Sequence, residues 1–368
     1  MGAHLMPRTD AFPINLADHE MWARDRMDPA LNAIIHGGAG DEITLRANEQ
    51  AWKDLSLWPR VLAGHSLPSL EMDLLGRRWP TPVAVAPMAQ QGRLHPDGER
   101  AIGLAASALG VGMVLSMQSN HPMEQIAQDV ISTAHRGPLW FQLYHLGDRS
   151  WSHDLLHRAA VAGYEAVVVT VDAPIQGVRD RERRHPSPPM LGLTQPHMPA
   201  ACRPGQDLAT LLERSATRAD IEWLIQSSPL PVLLKGILHP DDAQWACACG
   251  AQGIIVSNHG GRVLDTVPAT AVVLPMIVES VHGQLPVLVD GGIRRGTDIL
   301  KALSMGARAV LVGRPVAHGL FNAGAHGVAH VLRLLMDELQ AAMALCGVRD
   351  VASVTNRLLF TKSSKTFI

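Results

Sequence analysis

Residues Ala302–Gly313 read ALSMGARAVLVG. Small and apolar residues at helical spacing lead to Gly306, and a valine-rich run follows. The same order recurs in ASALGVGMVLS (Ala106–Ser116), AAVAGYEAVVVTVD (Ala159–Asp172) and ACACGAQGIIVS (Ala246–Ser257). Gly110, Gly163, Gly250 and Gly306 each fall where a helix needs a left-handed C-terminal residue. The runs after them are apolar almost throughout, the mark of strands covered on both faces, as in a parallel sheet.

Working outward, four further runs fit: TPVAVAP (Thr81–Pro87), PLWFQLY (Pro138–Tyr144), LPVLLKG (Leu230–Gly236) and LPVLVDGG (Leu285–Gly292). Each starts after a proline that cannot continue a helix. Strands are therefore expected near 82–86, 112–116, 138–143, 166–171, 231–235, 253–257, 286–290 and 308–312. Helix starts lie at HPDGE (95–99), HPDDA (239–243) and RGTDIL (295–300), with Asp or Thr placed to cap. Eight strand–helix units over about 250 residues predict an α/β fold of the TIM (β/α)8 barrel type. A doubly wound sheet is the alternative, but no glycine-rich dinucleotide fingerprint follows the first strand.

Two segments stand outside the repeat. Residues 1–75 form an N-terminal extension with a helix near 27–36 and a hairpin, expected to cover the bottom and edge of a barrel spanning 76–368. A long loop after strand 4, about 174–229, is rich in proline and charge and reads as a lid. The 368 residues are 47% hydrophobic, enough for a sizeable core. A net charge of −2 offers no field for nucleic acid or anionic lipid. Cys247 and Cys249 suit neither a zinc ribbon nor a thioredoxin pair, so the four cysteines read as buried thiols of a reducing compartment and no metal site is expected. No secretory signal and no apolar run of roughly 20 residues is present, which predicts a cytoplasmic protein without a membrane span.

In this fold chemistry gathers where the strands end, and nearly every apolar strand here ends in a polar group. In order these are Pro87, Met88 and Ala89; Ser116 and Gln118; Gln142 and Tyr144; Thr170 and Asp172, with Arg179 beyond; Lys235; Ser257, Asn258 and His259; Asp290, Gly292 and Arg294; and Gly313 and Arg314. The glycines and arginines after strands 7 and 8 suit an anion, with backbone N–H groups and a helix N-terminus facing it. A cofactor phosphate there would send the rest of the cofactor across the barrel mouth.

SNHGGRVLD (Ser257–Asp265), DGGIRRGTD (Asp290–Asp298), FQLY (Phe141–Tyr144), TVDAP (Thr170–Pro174) and VGRP (Val312–Pro315) occur in this order along nearly the whole chain. On these motifs the chain resembles the family of FMN-dependent L-2-hydroxy acid oxidases and dehydrogenases, an oxidoreductase family acting on CH–OH donors. The resemblance implies FMN held by Pro87–Ala89, Ser116, Gln142, Thr170, Lys235 and Ser257. It places the phosphate at Asp290, Gly292, Arg294, Gly313 and Arg314. It makes His259 the catalytic base, Asp172 its partner and Tyr144 a donor to the substrate oxygens, with Arg262 and Arg179 facing the substrate carboxylate. It further implies a homotetramer, with reoxidation by O2 or another acceptor.

Physical chemistry agrees. Oxidising a secondary alcohol needs a base near neutrality, a carboxylate to fix its tautomer, and a guanidinium fork for the acid group. Two departures stand out: Ile34 replaces the family's usual N-terminal tyrosine, and Gln118 a frequent tryptophan. Both predict a pocket reshaped for a bulky or aryl, mandelate-like substrate, or for one whose carboxylate is masked as an ester, amide or lactone. An isomerase using reduced flavin and a catalytically inert scaffold are rival readings; the His259, Arg262, Lys235 and Asp172 set speaks against both.

Overall fold

The four glycines that punctuate the repeat have φ of +68° (Gly110), +91° (Gly163), +84° (Gly250) and +98° (Gly306). Each closes a helix and turns the chain into a strand, because only glycine takes this conformation without a Cβ clash. The structure is a computed structural model and describes residues 12–63, 67–187, 192–199 and 208–360. Its barrel strands, first to eighth, are Val83–Val85, Gly112–Ser116, Leu139–Leu143, Ala166–Thr170, Val232–Ile237, Gly253–Val256, Val287–Val289 and Ala309–Val312. All pair in parallel, and the eighth closes on the first, so the TIM barrel is complete.

Alternate residues of each strand point to two separate cores. The outer core lies between strands and helices and holds Val167, Val169, Leu234, Ile254 and Val256. The inner core is smaller and holds Val168, Leu233, Ile255, Leu288 and Leu311. A hairpin, Met72–Leu74 with Arg77–Trp79, plugs the barrel end where the strands begin. Trp79 meets Trp140 edge to face at 5.1 Å. Truncating a buried tryptophan of this kind to alanine costs about 3–5 kcal/mol. The hairpin straddles the boundary expected at residue 75.

The extension covers more than the bottom and edge. Three helices precede the hairpin: α1 (Leu16–Arg26), α2 (Pro29–His36) and α3 (Ile43–Asp54). Asp28 caps α2 by accepting from the N–H groups of Ala30 and Leu31. Helix α3 lies across the opposite end of the barrel. Asn48 and Asn258 exchange two amide hydrogen bonds of 2.8 Å, and Trp52 Nε1 donates to Gly291 O at 2.8 Å. The approach is close enough that a Cβ at Gly292 would lie 2.1 Å from Asn48 O.

The long segment after strand 4 is not one loop. It includes helices Asp180–Arg184, Leu208–Glu213 and Arg218–Ser227, the last capped by Thr217. Residues 192–199 are pinned to the barrel by His197, whose Nε2 accepts from Met123 N at 2.9 Å. Two expected caps differ. Asp97 makes no side-chain bond at the start of Gly98–Ala108, and His239 Nδ1, not an aspartate, accepts at the start of Pro240–Ala248; at Gly296–Ser304 Asp298 caps as expected, accepting from the N–H groups of Arg294 and Arg295. The last helix, Arg314–Leu345, breaks at Ala323 and Gly324. Among the described residues Cys247, Cys249 and Cys346 are free thiols, and no helix is long and apolar enough to cross a membrane. Cys202 lies outside the described residues.

Candidate active site

A cavity of about 950 Å³ opens at the C-terminal ends of the strands. Every residue assigned above to cofactor or substrate lines it except Asp172 and Ser257, which stand one layer behind. Its volume lies in the range of cofactor and small-molecule sites.

His259 occupies the turn after the sixth strand with φ +58°, and Gly260 and Gly261 follow at +64° and +73°. A left-handed histidine is strained and persists only where its surroundings hold it. Its backbone N–H donates to Ser257 Oγ at 3.0 Å. Its Nδ1 lies 3.2 Å from Asp172 Oδ1. A carboxylate only accepts, so the proton sits on Nδ1, and the basic Nε2 faces Tyr144 OH at 3.5 Å. Burial alone would raise the Asp172 carboxyl, but the His259 hydrogen bond and the Lys235 ammonium outweigh it and hold it below the ordinary value. Burial pushes Tyr144 up to about 12, so its hydroxyl stays a donor.

Beside Asp172 the register of the fifth strand shifts between Lys235 and Ile237. Gly236 there has φ +111°, and a Cβ on it would lie 2.5 Å from Asp172 Cβ. Lys235 is buried; its Nζ donates to Ser257 Oγ at 2.8 Å and sits 3.1 Å from Asp290 Oδ2. Burial favours the neutral amine, but Asp290 and Asp172 overcome this and raise the ammonium's pKa. Ser257 thus does not face the cavity; it supports Lys235 and the His259 backbone.

Gln142 accepts from Ser116 Oγ at 3.0 Å, which leaves its buried Nε2 without a partner. The Asp290 Oδ1 and Arg294 Nε atoms are likewise buried and unpaired. Such groups are costly unless something polar meets them. The two arginines expected at a phosphate are partly committed. Arg294 pairs with Glu49 at 2.7 Å. Arg314 donates to the carbonyls of Ile35, Gly37 and Gly260, so it also fastens α2 to the histidine turn. Burial lowers Arg314 to about 9.

At the other side of the cavity one terminal nitrogen of Arg262 donates to Ile34 O (2.6 Å) and Gly37 O (2.8 Å). Its second bonds Glu182 Oε1 at 3.0 Å, and Arg179 reaches the same oxygen at 3.2 Å. Burial and the neighbouring Arg179 pull Arg262 down to about 10. Sequence reasoning missed Glu182 and Arg93, both of which line the cavity. Glu182 sits in a charge-rich run that reads as solvated surface. Leu31, Ile35, Leu146 and Ile175 add apolar lining to that of Ile34.

The model of the FMN-dependent dehydrogenase family matches residues 23–361. An L-lactate oxidase of Roseobacter sp. is 45% identical, covering 95% of each chain. Glycolate oxidase 1 of Zea mays is 40% identical over 95% of this chain and 96% of its own. A solved mandelate oxidase variant with (S)-mandelic acid superposes with a TM-score of 0.87 at 40% identity, covering 96% of this chain and 100% of that one.

Proposed function

Since the chain belongs to the family of FMN-dependent dehydrogenases, we propose that it oxidises a bulky or aryl L-2-hydroxy acid to the 2-keto acid, with His259 as base. It is an oxidoreductase of the 2-hydroxy acid oxidase family, acting on CH–OH donors, and FMN is its cofactor. The residues present suit FMN. The unpaired Gln142 amide and buried Lys235 offer donors to a polar ring edge. The two left-handed glycines Gly291 and Gly292 and the helix starting at Arg314 suit its phosphate. When bound, FMN would accept the C2 hydrogen with its electron pair.

The observation that carries the reading is the Asp172–His259–Tyr144 line opening on the cavity that Arg262 and Arg179 share. His259 Nε2 takes the hydroxyl proton while Asp172 holds the imidazolium in place. Tyr144 donates to the same substrate oxygen. Arg262 and Arg179 meet the carboxylate, and the apolar lining that includes Ile34 takes the side chain at C2. We assign O2 as the terminal acceptor because the relatives are named oxidases. The protein is in this reading a cytoplasmic homo-oligomer.

The test is anaerobic bleaching of the flavin by glycolate, lactate, mandelate and 4-hydroxymandelate, followed by readmission of O2. Mandelates are expected to reduce it with the highest kcat/KM. Preference for glycolate overturns the bulky-substrate reading, and no bleaching by any of the four overturns the reaction.

A further inference from the structure

Arg262 and Arg179 already share a carboxylate, and it belongs to the protein. Glu182 Oε1 lies 3.0 Å from Arg262 and 3.2 Å from Arg179. The three side chains are 20%, 15% and 21% exposed for Arg262, Arg179 and Glu182, so water screens the contact only in part. Both arginines and Glu182 line the cavity. Arg262's other terminal nitrogen is engaged by the Ile34 and Gly37 carbonyls, and Arg179 Nε donates to Arg262 O at 3.1 Å. Glu182 thus holds one terminal nitrogen of each arginine on the cavity that an incoming acid enters.

We propose that Glu182 is a specificity-determining residue, an internal carboxylate that competes with the ligand's own for Arg262 and Arg179. It weakens free acids relative to neutral amides and esters of the same shape. The proposal rests on the reading of these arginines as the acid-binding pair of a 2-hydroxy acid oxidase. The charge balance motivates it. Two guanidiniums and one glutamate carry a net +1, and a bound acid makes the cluster neutral only by setting a second carboxylate against the same guanidinium pair. Like charges at such range repel, so the acid binds by displacing Glu182 or by sharing its donors. An amide head group meets no such repulsion.

The helix that carries Glu182 does not depend on this contact for its place. Arg181 pairs with Glu42 at 2.5 Å, tying Asp180–Arg184 to the N-terminal extension. Glu182→Gln thus removes the charge while the helix keeps a separate anchor. A purely structural role makes the opposite forecast. If Glu182 served only to orient the arginines, its loss would let them wander and acids would bind more weakly.

Flavin absorbance of the holoenzyme is titrated with phenylacetate and with phenylacetamide, neither of which can be oxidised at a hydroxyl. In Glu182→Gln, phenylacetate is expected to bind about tenfold more tightly and phenylacetamide within about twofold of wild type, the scale of one charge-assisted contact. Phenylacetate binding that is unchanged or weaker, or an equal shift for both ligands, overturns the proposal. Glu182→Asp keeps the charge on a shorter stem and is expected to fall between. Should the glutamine variant not retain flavin, a lack of tightening in the aspartate variant overturns the proposal by itself. If no 2-hydroxy acid bleaches the wild-type flavin, the functional reading fails, while these binding constants still decide the role of Glu182.

Discussion

His259 combines a left-handed backbone, a carboxylate behind it and a phenol in front of it. Replacing it with alanine is expected to leave the flavin bound and to slow flavin reduction by at least about a thousandfold, a common scale for losing a positioned base. Anaerobic stopped-flow absorbance measures both. Gly236 is less conspicuous but as necessary, since a Cβ there runs into Asp172. Gly236→Ala is expected to cost about 1–3 kcal/mol of stability. It should also lower kcat more than it raises KM, because the displaced group is Asp172; thermal unfolding and steady-state kinetics separate the two effects. The placement of Lys235, His259 and Arg262 at the cavity was legible in the sequence because Lys235 ends an apolar run and the other two lie in the turn that follows one. Glu182 was not, because its run of arginines and acids has no period and only tertiary packing turns it inward beside Arg179.

Among the elements, the segment after strand 4 behaves least as its composition suggests. Proline and charge pointed to one long lid, yet 192–199 is held by a buried histidine. His197 accepts from Met123 N, approaches Ser119 Oγ at 3.3 Å and packs edge to face on Phe141 at 5.5 Å. His197→Ala is expected to destabilise by about 2–4 kcal/mol, leaving a buried donor unpaired and a gap beside Phe141. Limited proteolysis read by mass spectrometry should then cut within this segment before the barrel. The strands, by contrast, were legible to within one or two residues, since proline, glycine and unbroken apolar runs are local signals. The placement of α3 over the strand ends was not, since it depends on contacts with Asn258 and Gly291 far along the chain.

For the whole molecule, pH acts through histidines that folding keeps neutral. Burial brings His19, His36 and His197 down to about 4. In the unfolded chain a histidine takes its proton near 6.5. The folded form therefore lags behind, and the stability tied to these groups is complete above about pH 6.5 and is lost as pH falls toward 4. For His197 alone the loss is on the order of 3 kcal/mol. The melting temperature is expected to drop steeply from pH 7 to 4.5, and His197→Gln should flatten that slope. An unchanged slope in the variant removes His197 from the account.

The amide pair between Asn48 and Asn258 also bears on how the protein comes into being. It joins residues 210 apart, the Trp52–Gly291 bond joins residues 239 apart, and Arg314 reaches back 279 residues to Ile35. At about 10 residues per second, a ribosome that has made Asn48 needs roughly 20 s more to make Asn258. During that interval α3 lacks the strand-end partners for the face it will bury. The pocket is thus a late product of synthesis, and such distant contacts make folding slow. Moving the chain break, so that α3 is translated after the eighth strand, should shorten that wait without altering a single contact in the finished barrel.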